Sequence, residues 1–247
     1  MGTITGMRTA IVMPTETPLG DAQLYRLMTW LSPSFPVGAF TYSHGIEYAV
    51  EEGLVKDHET LAAWIGAIVE KGAGRIDAMM FAAAHRAAAD GDDRGLDRTI
   101  ERAHATRASH ETALEATAQG VAFIETVRRV WPDARIESWR QRMAAARRQP
   151  TLAVAVGTVA GFMGLPATFA LVGYLQSFAA NLVSAGVRLV PLGQTDGQRV
   201  MALLEPVIVA AAERAPEIPL ADLGGTAFMV DWTSMRHETQ YTRLFRS

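Results

Sequence analysis

"TLAVAVGTVAGFMGLPATFALVGYLQSFAANLV", residues 151–183, carries no charged side chain along its whole length. Such a run either crosses a bilayer or lines the inside of a helical protein. Gly157, Gly161, Gly164 and Pro166 interrupt it in the middle, and Thr, Ser, Gln and Asn are spread through it. It therefore reads as two buried helices joined at Gly164–Pro166, not as a membrane hairpin. The small residues let neighbouring helices come close.

The flanks read as helix too. Upstream, "DAQLYRLMTWLS" sets Leu24, Leu27, Met28 and Leu31 at helical spacing behind Asp21, a capping residue, and Pro33 and Pro36 end it. A second helix is expected from about Ala39 to Glu52, and a third behind Asp57. A fourth is expected over about Ile76–Ala89, two more over 95–130, and an Arg-rich one in "ARIESWRQRMAAARRQ". Downstream of the apolar pair comes "TDGQRVMALLEPVIVAAAERA", with Pro206 inside it as an expected kink, then a loop and a short last helix. No strand-like alternation persists, so the fold class is all-α: one domain, a bundle of roughly nine to ten helices. Residues 1–20 read as a flexible N-terminal segment, 21–235 as the helical domain and 236–247 as a tail.

Composition excludes several functions. Net charge is −3, which gives no reason to expect a nucleic-acid partner. The absence of cysteine removes disulfides, thiolate zinc sites and cysteine nucleophiles. No secretory signal or membrane span is expected, and the cytoplasm is the expected compartment. No nucleotide loop is present, since "GAGRID" lacks the spacing and the lysine. The six histidines form no Glu-paired helical spacing, so no metal site and no cofactor is expected. Ser43, His44 and Glu47 are the residues an alternative reading, a stand-alone helical hydrolase or metal enzyme, would use. His44 reads as an ordinary surface residue, and Phe35 and Phe40 as core. Tyr42 reads either as a buried ring or as a partner contact.

Polar and aromatic residues concentrate in three blocks. The first is "SPSFPVGAFTYSHGIE", with Ser32, Pro33, Pro36, Val37, Gly38, Phe40, Tyr42, Ser43, Gly45, Ile46 and Glu47. The second, within 181–199, holds Asn181, Leu182, Arg188, Leu189, Pro191, Leu192, Gly193, Gln194, Thr195, Gln198 and Arg199. The third is the tail "RHETQYTRLFRS", with His237, Glu238, Gln240, Tyr241, Arg243, Leu244, Phe245 and Arg246. These blocks, in this order, resemble the signatures of the UreF family of urease accessory proteins. Ile46 stands where the family pattern has Leu.

The resemblance implies an all-helical homodimer that is not an enzyme. It implies a chaperone of urease maturation bridging UreD (UreH in some organisms) and the GTPase UreG, for GTP-dependent nickel insertion into the urease apoprotein. Modulation of the GTPase is a further implied role. On this reading the partner-binding residues are Tyr42 and Glu47, projecting from the second helix, with Arg188, Gln194, Asp196, Gln198 and Arg199 shaping the surface that receives UreG. His237, Glu238, Gln240, Tyr241, Arg243 and Phe245 complete the set in a tail expected to be mobile until UreD orders it. The uncharged stretch is expected to supply part of the dimer surface.

Overall fold

A computed structural model describes residues 18–106 and 110–246, and the expectation for residues 1–20 falls almost wholly outside them. The described residues form eleven α-helices and three short 3₁₀ turns, and no strand. The helices are α1 (Asp21–Trp30), α2 (Ile46–Glu51), α3 (His58–Lys71), α4 (Ala73–Asp90), α5 (Asp93–Ala105) and α6 (His110–Val130). They continue as α7 (Ala134–Ala145), α8 (Leu152–Phe162), α9 (Ala167–Leu189), α10 (Gln194–Arg214) and α11 (Phe228–His237).

The uncharged stretch supplies the axis of the bundle. Every residue of α8 from Ala153 to Phe162 is buried. Gly157 and Gly161 sit directly against the backbone of α4: a Cβ at either position would come within 2.5 Å of a carbonyl oxygen, that of Phe81 or of His85. Gly164, at φ +66°, ends the turn before Pro166. Around the α4–α8 pair stand α5, α6 and α9, with α3 against α4, α10 laid on α3 and α9, and α7 on α6. By length and composition α9 is the one described helix able to cross a membrane, and half of its apolar window is buried in the bundle. The expectation that the Gly-rich helix shares in a dimer surface is overturned, because α8 is enclosed within one chain.

Local chemistry sets the helix ends. The Asp57 carboxylate accepts from the Thr60 backbone N–H at 2.8 Å and from its hydroxyl at 2.7 Å, capping α3. These bonds hold the Asp57 carboxyl below its ordinary value, the Thr60 backbone bond first. Asp57→Ala should lower the urea midpoint at unchanged slope, since it removes the cap of α3. α1 starts differently from expectation. Gly20 is its cap, bonded to Gln23 Oε1 at 3.0 Å, and Asp21 lies inside the first turn. α10 runs unbroken through Pro206.

The loop after α10 is pinned by arginines. Arg86 donates to the Pro216 carbonyl at 2.7 Å, Arg102 to that of Leu220 at 3.0 Å and Arg75 to that of Gly224 at 3.0 Å.

The helix expected from Ala39 to Glu52 is mostly absent. Ala39–Thr41 form a single 3₁₀ turn, Tyr42 is extended, and only Ile46–Glu51 are α-helical. Two successive left-handed residues, His44 at φ +51° and Gly45 at φ +74°, break the path. Gly45 is required for a second reason: a Cβ there would lie 2.6 Å from the Ser234 nitrogen of α11. His44 holds a conformation that costs a non-glycine residue about 1–2 kcal/mol. It does so with its imidazole bonded to Glu115.

Candidate functional site

Segments nearly 200 residues apart close on Glu47. One carboxylate oxygen accepts from the backbone N–H of Leu244 at 2.6 Å, and the other from that of Phe245 at 3.0 Å. The second oxygen also meets His237 Nε2 at 3.1 Å, while His237 Nδ1 lies 3.2 Å from Glu111 Oε2. The His237 side chain is 0% exposed. Arg243 completes the ring by donating to Glu111 at 2.5 Å. Two carboxylates thus face one imidazole and one guanidinium, the pairing a buried charge requires.

Beside this clamp, Arg188 lies between two aromatic rings. Its guanidinium carbon is 3.8 Å from the Phe40 centroid and 4.4 Å from that of Phe245, and its Nη2 donates to the Phe40 carbonyl at 3.1 Å. Phe40 comes from the first block, Arg188 from the second and Phe245 from the third. The three sequence blocks therefore meet in one place.

The tail is consequently packed, which corrects the expectation of mobility. Phe245 is 4% exposed. Gln240 bonds Glu51, and Glu238 accepts from the His110 backbone N–H at 3.0 Å, serving as a cap for α6 from across the chain. Tyr241 stands fully in solvent, at 103% of its reference exposure, and Leu244 is also exposed. Arg236 of α11 reaches the Tyr48 hydroxyl at 3.3 Å, a bond that raises its guanidinium from the ordinary value.

The expected partner-binding residues thus divide. Glu47, His237, Arg243 and Phe245 serve the clamp, with Arg188 stacked against it. Gln194, Gln198 and Arg199 are exposed at the start of α10. Asp196 accepts from the Gly193 N–H at 3.2 Å and from Arg199 at 2.6 Å, and these bonds, Gly193 first, hold its carboxyl below the usual range. Tyr42 is half-buried and lines a cavity of about 290 Å³ together with His44, Asp77 and Glu115.

Three readings of the first block change. His44 is buried, not on the surface, with Nε2 3.2 Å from Glu115 Oε1 and its ring edge-on to Phe178. Phe40 is largely exposed instead of core, and the Arg188 guanidinium stacks on its ring. Ser43 is fully buried and presents no hydroxyl to a substrate. The imidazole of His44 goes to Glu115 and the carboxylate of Glu47 to the tail, so Ser43, His44 and Glu47 do not assemble a catalytic group. Among the described residues no group of three His, Asp or Glu side chains is placed to hold a metal ion.

Glu111, Glu115 and Gln119 were missed. They recur every fourth residue along α6, so they share one face, and all three turn inward to polar partners. A polar stripe at helical spacing next to apolar neighbours is the signal that marks them.

The three blocks thus tie distant segments of one helical bundle together. The UreF family matches residues 55–205. A urease accessory protein UreF from Rhodopseudomonas palustris (strain BisB5) is 52% identical over 227 residues, covering 92% of each chain. One from Granulibacter bethesdensis is 49% identical, over 95% of this chain and 98% of its own. One from Bradyrhizobium diazoefficiens is 48% identical, over 96% of this chain and 100% of its own. The chain belongs to the UreF family of urease accessory proteins.

Proposed function

We propose that this protein is an adaptor of urease maturation that acts through its surfaces. It bridges UreD (UreH) and the GTPase UreG as a homodimer in the cytoplasm, and nickel is the cargo of the assembly it joins. The observation that carries this reading is the meeting of Phe40, Arg188 and Phe245 over the Glu47 clamp, which makes one composite surface from three distant blocks. The solvent-facing Tyr241 beside it supports a role for the tail in contacting UreD. The exposed turn with Gln194, Gln198 and Arg199 supports a second contact, with UreG. One face of α1 leaves Leu24, Tyr25 and Met28 exposed, which supports dimerisation there. The experiment is co-purification with both accessory partners, with and without guanine nucleotide; failure to retain either partner overturns the reading.

Modulation of UreG is proposed to be indirect. Arg199 makes an exposed pair with Asp196 within α10, the kind of surface contact that adds little to stability. Arg199→Ala should therefore leave the melting temperature within about 2 °C while weakening UreG capture. Single-turnover GTP hydrolysis by the UreG that still binds should change less than tenfold. Normal capture with a loss of about a thousandfold in hydrolysis would instead mark an arginine finger.

A further inference from the structure

Both nitrogens of the His237 imidazole face carboxylate oxygens. Nε2 lies 3.1 Å from Glu47 Oε2 and Nδ1 lies 3.2 Å from Glu111 Oε2, and the side chain is 0% exposed. An ionised carboxylate only accepts hydrogen bonds. A neutral imidazole has one N–H and one bare nitrogen, so it can serve one of these carboxylates and turns a lone pair toward the other. Both bonds form together only when both ring nitrogens carry a proton.

The charges lead to the same state. Glu47 of α2 and Glu111 of α6 bring two negative charges, and Arg243 of the tail brings one positive through its bond to Glu111. The imidazolium makes the cluster neutral. A neutral ring would leave one negative charge uncompensated against a wholly buried side chain. Neighbouring charged groups are engaged elsewhere: Glu238 with the His110 backbone N–H, Arg236 with the Tyr48 hydroxyl, Glu51 with Gln240, and Arg188 of α9 with the rings of Phe40 and Phe245. Among the described residues none of these forms an ion pair with His237, and neither does any side chain of α3, which also packs on α11. The other imidazole in this region, His44, pairs with Glu115 one turn further along α6.

The same two carboxylates hold the tail. Glu47 accepts from the backbone N–H groups of Leu244 and Phe245, and Glu111 accepts from Arg243. A carboxylate that turns away from a bare ring nitrogen loosens these bonds as well.

We infer that the third block is locked by a proton: His237 stands between Glu47 and Glu111 as the imidazolium, and loss of its proton to water opens residues 238–246. An imidazole free in water is mostly neutral above about pH 6.5. Above that pH the closed tail keeps one proton that the open tail has lost. Rising pH therefore favours the open form, by about tenfold per pH unit while that difference lasts. Opening uncovers Phe245, which is 4% exposed in the closed form, and frees the Glu47 carboxylate. The surface made by the three blocks is thus complete only on the acid side of the transition. The inference concerns the chain alone, so it and the adaptor reading can fail independently.

The test uses the full chain labelled with ¹⁵N-histidine. At pH 7 the two ring nitrogens of His237 should both give the signals of protonated imidazolium nitrogens. Trypsin cleavage within residues 236–246 is measured from pH 6 to pH 9 and divided by its rate on a free peptide of the tail sequence, which removes the pH dependence of the protease. The ratio should rise with pH by about tenfold per unit over part of this range. Glu111→Gln should flatten the profile and leave the tail better protected at pH 9 than in the wild type. There a neutral imidazole can donate to Glu47 and accept from the new amide, while Arg243 balances Glu47. His44→Asn leaves the clamp in place and should keep the wild-type slope. A neutral His237 ring in the closed protein at pH 7, a flat wild-type profile, an unchanged slope in Glu111→Gln or a lost slope in His44→Asn would each overturn the inference. Should a variant fail to fold, the wild-type nitrogen signals and cleavage profile decide.

Discussion

Glu47→Ala should lower the melting temperature by about 6–12 °C and open residues 236–246 to proteases. The substitution strands two backbone N–H groups, those of Leu244 and Phe245, and removes one of the two carboxylates around the wholly buried His237. Breaking a buried pair typically costs about 3–5 kcal/mol, and each stranded donor adds to this when it cannot reach water. The tail can lift away and rehydrate, which limits the loss to about 3 kcal/mol, or roughly 2–4 °C per kcal/mol for a chain of this size. Glu47→Gln keeps one oxygen acceptor and should fall between the wild type and alanine. Calorimetry with limited proteolysis reads both effects. A shift below about 2 °C with an uncut tail would mean that the clamp is not what holds the third block.

The second large effect lies in the middle of the bundle. Gly157→Ala should destabilise by about 3 kcal/mol, the upper end of the usual cost of overpacking. The new methyl group meets the Phe81 carbonyl oxygen and Cα, which are backbone and cannot rotate away. Gly161→Ala meets the His85 carbonyl oxygen in the same way and should cost about as much. The two positions press on the same stretch of α4. Once one methyl has pushed α8 outward, the second finds more room, so the double variant should lose clearly less than the sum. Urea denaturation of the three variants decides this. Wild-type stability in Gly157→Ala would mean that the two helices can separate freely.

How far the sequence was legible depends on what each residue answers to. The joint at Gly164–Pro166 and the Asp57 cap were readable because they depend on near neighbours: a left-handed glycine, and a carboxylate three residues from its N–H. Residues 39–45 were misread because apolar spacing there looks helical, while the backbone answers to α11, whose Ser234 leaves no room for a side chain at residue 45. His44 was placed outside for the same reason, as nothing within ten residues announces Glu115. In the tail, "RHETQYTRLFRS" is polar enough to read as free chain. The partners that immobilise it, Glu47, Glu51 and Glu111, are separated from it by more than a hundred residues. The blocks themselves were visible; which of their side chains face inward was not, because that is decided by segments brought together only in the fold.

The distance along the chain between Glu47 and Phe245, 198 residues, also has a meaning in time. At ordinary ribosomal speeds of about 5–20 residues per second, the carboxylate waits roughly 10–40 s for the amides that will satisfy it. The helices in between can pair as they emerge, since α3 meets α4 and α4 meets α5 at short range. The first block cannot be completed in that order. Throughout synthesis it stays an open receptor for a strand of peptide, and any segment offering two successive backbone N–H groups competes for it until residues 244 and 245 arrive.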